Sequence, residues 1–222
     1  MKILVVGDVH GCYYTLKKLI TENWNPEEEC LVQLGDLINK GPNSIKCLKY
    51  FKKLQKKYPS KVIFLRGNHE QMFLDYFQKQ KKNRFISDLV REMESQEVNV
   101  TKILKWLSKS DLFWENESVL ISHAGIGNSC KIPLEENDPK GVLYNREGLK
   151  NIGRLQIAGH TIVEGNKPHF NPKENAWHID TGAWIKKSLT GLKLNEDATN
   201  ITVIKEARHK KDNQSLYSRG IL

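Results

Sequence analysis

Five short polar motifs carry the side chains able to do chemistry: Gly7-Asp8-Val9-His10-Gly11, Gly35-Asp36, Gly67-Asn68-His69-Glu70, His123-Ala124-Gly125 and Gly159-His160. Carboxylate and amide oxygens with imidazole nitrogens, and no thiolate among them, suit a pair of hydrated divalent ions such as Mn²⁺, Fe or Zn²⁺. They do not suit a structural zinc site. Taken singly each motif is weak. Asp8 would serve as an N-cap in a turn, and Asn68 caps a helix well with Glu70 in the favourable first turn. Their joint placement is the signal, because every cluster follows directly on an apolar run. His169 and His178 fall outside the pattern and read as surface or hydrogen-bonded histidines.

The elements that must position these groups alternate. KILVV (2–6), CLVQL (30–34) and KVIFL (61–65) are strands, separated by the helical stretches YYTLKKLITEN and SIKCLKYFKKLQ. A βαβαβ order predicts a parallel sheet with right-handed crossovers. The carboxyl ends of such strands converge on one crevice. Residues 69–109 read as wholly helical with a break at KKNR (81–84), a small helical cap inserted between strands. SVLIS (118–122), RLQIAG (154–159), AWHID (176–180), LTGLKL (189–194) and NITVIK (200–205) predict a second, more antiparallel sheet. The tail from about residue 207 is expected to be mobile at its end.

With 222 residues, 39% hydrophobic and 27% charged, the chain suits one globular domain, 1–222. The apolar runs are strand-sized, far short of a membrane span, and no charged-then-apolar leader is visible, so the expectation is a soluble cytoplasmic protein with no membrane partner. The four cysteines, Cys12, Cys30, Cys47 and Cys130, show no C-x-x-C spacing and read as reduced thiols. A net charge of +9 favours an anionic partner, but the lysines are scattered over helix exteriors and no basic stripe is interleaved with aromatics. No stable nucleic-acid complex is therefore expected. Oligomeric state is not legible.

GDVHG, GDLINKG, GNHE, SHAG and GH, in this order over residues 7–160, resemble the signature of the calcineurin-like metallophosphoesterases. The branch is the one shared by serine/threonine protein phosphatases and symmetrical diadenosine tetraphosphatases. HIDTGAW followed by LTGLKL resembles the closing strand motif of its bacterial members. The resemblance implies an αββα sandwich, two divalent metal ions with manganese foremost, and hydrolysis of a phosphate ester by a bridging hydroxide. Matched residue by residue, Asp8 and His10 would bind the first metal, Asp36 would bridge both, and Asn68, His123 and His160 would bind the second. His69 would be the catalytic acid, and Arg146 in LYNRE would clamp phosphate, with Tyr144 standing where the family often has Trp.

Two positions depart from the protein phosphatase pattern. There, Asp and Arg are usual at 39 and 40; here they are Asn39 and Lys40. Asn39 can still hydrogen-bond His69 but brings no charge, and Lys40 offers a point charge in place of a bidentate fork. A neutral residue followed by Gly-Pro-x-Ser looks like the diadenosine tetraphosphatase side. The short chain and the LYNRE-to-GHT layout resemble the small bacterial protein phosphatases. The expected substrate is thus a phosphoprotein, with a dinucleoside polyphosphate or capped RNA as the alternative. A non-catalytic phosphate-binding relative is the weakest reading, since the metal ligands and His69 are all present. The helices of 69–109 and the loop 126–143 are expected to shape substrate choice.

Overall fold

The computed structural model describes residues 2–213. Two five-stranded sheets pack face to face. The first has the order β10-β9-β1-β2-β3, built from β1 (Lys2–Val6), β2 (Glu29–Gln33), β3 (Val62–Phe64), β9 (Ser188–Asn195) and β10 (Ile201–Ala207). The second has the order β4-β5-β6-β8-β7, from β4 (Phe113–Glu115), β5 (Val119–Ser122), β6 (Leu155–Ala158), β7 (His169–Asn171) and β8 (Ala176–His178). Strand alternation sorts the apolar side chains. Ile3, Val5, Val32 and Leu34 point between the sheets, where they meet Val119, Ile121, Ile157 and Ile179. Leu4, Val6 and Leu31 point the other way, into the helical layer.

That layer contains α1 (Tyr13–Asn23), α2 (Ser44–Lys57), α3 (Asn68–Gln78), α4 (Arg84–Ser95) and α5 (Val100–Leu107). Leu16, Leu19 and Ile20 on α1, and Ile45, Leu48 and Phe51 on α2, recur at near-helical spacing and are buried. The expected break near KKNR is present, since α4 starts at Arg84 after Asn83 accepts a bond from the Ile86 N–H at 3.3 Å. Ile86, Leu89, Met93, Ile103 and Leu107 join the same core cluster as α1 and α2. The helices of 69–109 therefore extend the layer over the first sheet.

The second sheet differs from the expectation in membership and direction. LTGLKL and NITVIK form a hairpin that pairs through β9 with β1, so both belong to the first sheet. The pairs β5–β6 and β6–β8 are parallel, and only the edge strands β4 and β7 run antiparallel. Two three-residue edge strands escaped the sequence reading because so short a run carries no periodicity. The outer face of this sheet is covered by the loop 124–153, with Ile126, Val142 and Leu149 packed on Leu120, Ala158 and Ala176. A buried polar residue of the central strand pins that loop. Gln156 accepts from the Ile126 N–H at 2.9 Å and donates to the Lys150 carbonyl at 2.7 Å.

Residues 208–213 of the tail are docked, ending in a short turn of 3-10 helix in which Asp212 is fully buried. The end expected to be mobile, 214–222, lies outside the described residues. No described helix is long and apolar enough to cross a membrane.

Candidate metal centre

The carboxyl ends of β1, β2, β3, β5 and β6 run into Asp8 and His10, Asp36, Asn68 and His69, His123, and His160 respectively. All seven side chains are buried, none more than 8% exposed. The backbone turns sharply to deliver them. His10, Asp36, Asn39, Lys40 and His160 all have positive φ, between 44° and 67°. Glycines make room at two points of closest approach. A Cβ on Gly159 would sit 2.0 Å from Asp8 Oδ1, and one on Gly67 would sit 2.3 Å from Asp36 Oδ1.

Two groups of donors share Asp36. On one side His10 Nε2 lies 3.3 Å and His69 Nε2 4.0 Å from Asp36 Oδ2. On the other, His123 Nε2 lies 3.6 Å from Asp36 Oδ1. His123 Nε2, His160 Nδ1 and Asn68 Oδ1 form a triangle with sides of 2.9, 3.0 and 3.0 Å. Each of the two sets His10–Asp36–His69 and Asp36–His123–His160 keeps its ligand atoms within 4.8 Å of one another. Asp8 belongs to neither set, and both its oxygens accept from the His160 backbone N–H at 3.1 Å.

The donor chemistry fits a cation. His123 Nδ1–H donates to the Leu34 carbonyl and His10 Nδ1–H to the Ile38 carbonyl, each at 3.0 Å, which fixes the tautomer and turns an Nε2 lone pair to the centre. In the triangle, Asn68 Oδ1 and His123 Nε2 can only accept, so His160 Nδ1 brings at most one proton to share between them. Donors on a common ion at about 2.0–2.2 Å lie about 3.0–3.5 Å apart, which is the spacing seen. At His10 the Lys40 ammonium donates to the Nε2 lone pair at 2.9 Å, marking a point where positive charge is favourable.

Electrostatics point the same way. Burial drives His123 down to about 3, and burial with the neighbouring His123 drives His160 down to about 2; His10 is lowered well below its ordinary value by burial and then by Lys40. Neutral imidazole is the metal-binding form. Burial, then Asp180 and Asp36, raises Asp8 well above the usual carboxylate range, and burial raises Asp36 although His69 and its N–H oppose it. Carboxylates crowded in this way are relieved by a divalent ion.

The structure brings the remaining predicted residues to the same place. Asn39 Nδ2 lies 2.9 Å from His69 Nδ1, leaving His69 Nε2 facing Asp36. Lys40 and Arg146 are exposed at the rim. Arg146 makes its charge felt at Asp36, His123 and His160, and the Tyr144 backbone lies against His160.

Three contributors were missed in the sequence. Glu70 is fully buried, and its carboxylate accepts from the N–H groups of Asp36, Leu37, Ile38 and Gly67 at 2.7–3.3 Å. Burial, and then Asp36, push it up to about 8 against the pull of the N–H groups of Asp36, Gly67 and Ile38. It clamps the Asp36 loop onto α3. Asp180 follows β8 and is pushed up to about 6 by burial; the strand-then-acid rule that found Asp8 and Asp36 applies to AWHID too. Trp184 lies 6.2 Å from the His10 ring and 5.1 Å below the Lys40 ammonium, a cation–π contact at the mouth of the site.

A two-sheet sandwich that gathers imidazole, amide and carboxylate donors around one shared aspartate at a common strand edge defines the metal-dependent phosphoesterase class. The calcineurin-like phosphoesterase family model matches residues 1–188. The chain belongs to that family and is a hydrolase. Serine/threonine-protein phosphatase 1 of Salmonella typhimurium is 30% identical over 201 residues, covering 85% of this chain and 89% of the relative. A symmetrical bis(5'-nucleosyl)-tetraphosphatase of Photorhabdus laumondii is 31% identical over 129 residues, covering 57% of this chain but only 45% of the relative. Among solved structures, a protein serine/threonine phosphatase from Saccharomyces cerevisiae superposes with a TM-score of 0.66 at 15% identity, over 95% of this chain and 81% of that one, a likeness of fold.

Proposed function

We propose that the chain is a phosphomonoesterase of the serine/threonine protein phosphatase kind, acting with two divalent ions, Mn²⁺ foremost. One observation carries this reading. The alignment to the Salmonella phosphatase runs nearly the full length of both chains, whereas that to the tetraphosphatase stops short of half the relative. A specific feature keeps dinucleoside polyphosphates as the second reading, namely the neutral Asn39 where the protein phosphatases usually have an acid. Three buried thiols in no disulfide, Cys12, Cys30 and Cys47, suit a cytoplasmic setting.

In this reading Asp8, His10 and Asp36 would hold the first ion, and Asp36, Asn68, His123 and His160 the second. The two ions, when bound, acidify a water and offset charge on the phosphoryl oxygens. His69 as imidazolium, its Nδ1–H held by the turned-over Asn39 Oδ1, would give its Nε2 proton to the leaving oxygen, so that the alcohol departs neutral and the ring is left as neutral imidazole. The Asn39 amide serves both protonation states, since Nδ2 donates to a bare Nδ1 and Oδ1, turned over, accepts from Nδ1–H. Lys40 and Arg146 balance the remaining phosphoryl charge from the rim.

The test ranks kcat/KM for phosphopeptides, diadenosine tetraphosphate and capped RNA on the Mn²⁺-loaded protein. Phosphopeptides should lead. A lead for diadenosine tetraphosphate by tenfold or more would replace this reading with the second, and no turnover of any ester would leave a phosphate-binding relative.

A further inference from the structure

We propose that Asp212 is a positioning residue for the metal centre, tying together from behind the two loops that carry Asp8, His10, Asp36, Asn39 and Lys40. Asp212 lies beyond the region that the family model matches, yet it is among the most buried carboxylates of the chain, with no exposed surface. One oxygen accepts from the Thr15 N–H at 2.8 Å and the Thr15 hydroxyl at 2.7 Å. The other accepts from the Tyr14 N–H at 3.2 Å and Asn43 Nδ2 at 3.0 Å.

These partners are the starts of α1 and α2. Neither helix has a side-chain cap of its own, since Cys12 and Asn43 make no such bond. Asp212 supplies carboxyl oxygens as acceptors for the orphan N–H groups of α1 instead, and takes the side chain of the α2 cap residue in the same grip. The two helix starts are bonded in turn to the loops. The Asn43 N–H donates to the Gly11 carbonyl at 3.0 Å, the Gly11 N–H to Leu37 at 2.8 Å and the His10 N–H to Asp36 at 2.7 Å. A further bond from the His209 N–H to Thr15 Oγ1 at 2.9 Å seats the strap. The last turn of the described chain therefore sets the spacing between the loop after β1 and the loop after β2, and with it the fit of the first ion.

The inference rests on the metal assignment above, and the experiment separates the two. Mn²⁺ is titrated calorimetrically into the full chain and into Asp212→Ala, with Leu155→Ala as a control. Leu155 is buried at the start of β6, away from the carboxyl strand ends, so its loss lowers the melting temperature without touching the site. Asp212→Ala should weaken Mn²⁺ binding about tenfold, the low end for residues that orient ligands, and lower kcat/KM on p-nitrophenyl phosphate in step. Leu155→Ala should leave the affinity unchanged. Should Asp212→Ala fail to fold, Asp212→Asn and Asn43→Ala carry the comparison, each with a severalfold weaker affinity. A parent chain that takes up no Mn²⁺ overturns the metal assignment and the inference together. A parent that binds while every foldable variant binds equally well overturns the inference alone.

Discussion

The two halves of the centre are held by different means. The half supplied by the first sheet is buried and wired by backbone, with Glu70 gripping four N–H groups and the His10 and Gly11 N–H groups bonded into the Asp36 loop. In the half supplied by the second sheet His123 and His160 are also buried, but Arg146 rides on the loop 124–153, which Gln156 and apolar packing hold from beneath and two carboxylates of the loop hold from within. Asp138 accepts from the N–H groups of Lys131, Ile132 and Lys140, and Glu147 from the N–H and hydroxyl of Ser129. The difference assigns tasks. In the proposed function, ion positions would be set where bonds are buried and few alternatives exist, and substrate contacts on the exposed side of the loop, where side chains can vary at little cost.

The largest effects should come from the first half. Asp36→Asn is expected to strip both ions and bring activity to the level of the metal-free protein, measured by metal analysis beside turnover of p-nitrophenyl phosphate. His69→Asn should keep the metal content and lower kcat by about 10²–10⁴. Because His69 Nε2 stands close enough to share an ion with His10 and Asp36, this pair of variants decides its role. Loss of metal in His69→Asn would make it a ligand and take away its part as the acid.

Smaller effects should come from the rim, and they test whether the halves share the grip on phosphate. Arg146→Ala should weaken inhibition by inorganic phosphate more than Lys40→Ala, because only Arg146 presents a planar fork, while Lys40 is partly engaged by His10 and Trp184. Equal inhibition constants would erase the division. Smaller still is the change at Asn39. His69 is held down to about 4, by burial foremost and against the pull of Asp36. Adding a carboxylate in Asn39→Asp favours the imidazolium, so its pKa rises and the alkaline limb of the kcat/KM profile should move to higher pH. A limb that stays put at unchanged metal content would disprove the contact's role in proton donation.

The smallest effect belongs to Asp138. Its carboxyl is held down to about 2 by the N–H groups of Ile132, Lys140 and Lys131. A depressed carboxylate stabilises the fold fully above its ordinary titration range and loses that contribution as pH falls through the folded value. Amide exchange at residues 131, 132 and 140 should therefore accelerate as pH falls toward 2, beyond the change in intrinsic exchange rate. Asp138→Asn should show the same loosening at neutral pH with metal content unchanged. Unaltered exchange would mean the loop is held by its apolar contacts.

Legibility followed the same division. KILVV, CLVQL and KVIFL are continuous apolar runs, each ending in a polar motif, so the parallel strands and the gathering of polar side chains at their ends could be read directly. Membership of LTGLKL in the first sheet could not, because pairing partners leave no mark on local periodicity. Glu70 was visible only as a first-turn acid, since three of its four partners lie more than thirty residues away in the chain. Asp212 was hidden for the same reason, inside a basic tail that looks solvent-bound by composition.

Left-handed backbone at five non-glycine positions around the centre has a consequence for selection in the laboratory. His10, Asp36, Asn39, Lys40 and His160 each occupy a conformation costing about 1–2 kcal/mol for an ordinary L-residue and nothing for glycine, with Asn and Asp at the lower end. A library screened for heat resistance alone, without substrate, is therefore expected to drift toward glycine at Lys40 first, where the side chain is exposed and gives up only its contacts with His10 and Trp184. Such clones would outlast the parent on heating while their grip on phosphate fades, so thermal screens of this protein need a turnover step built in.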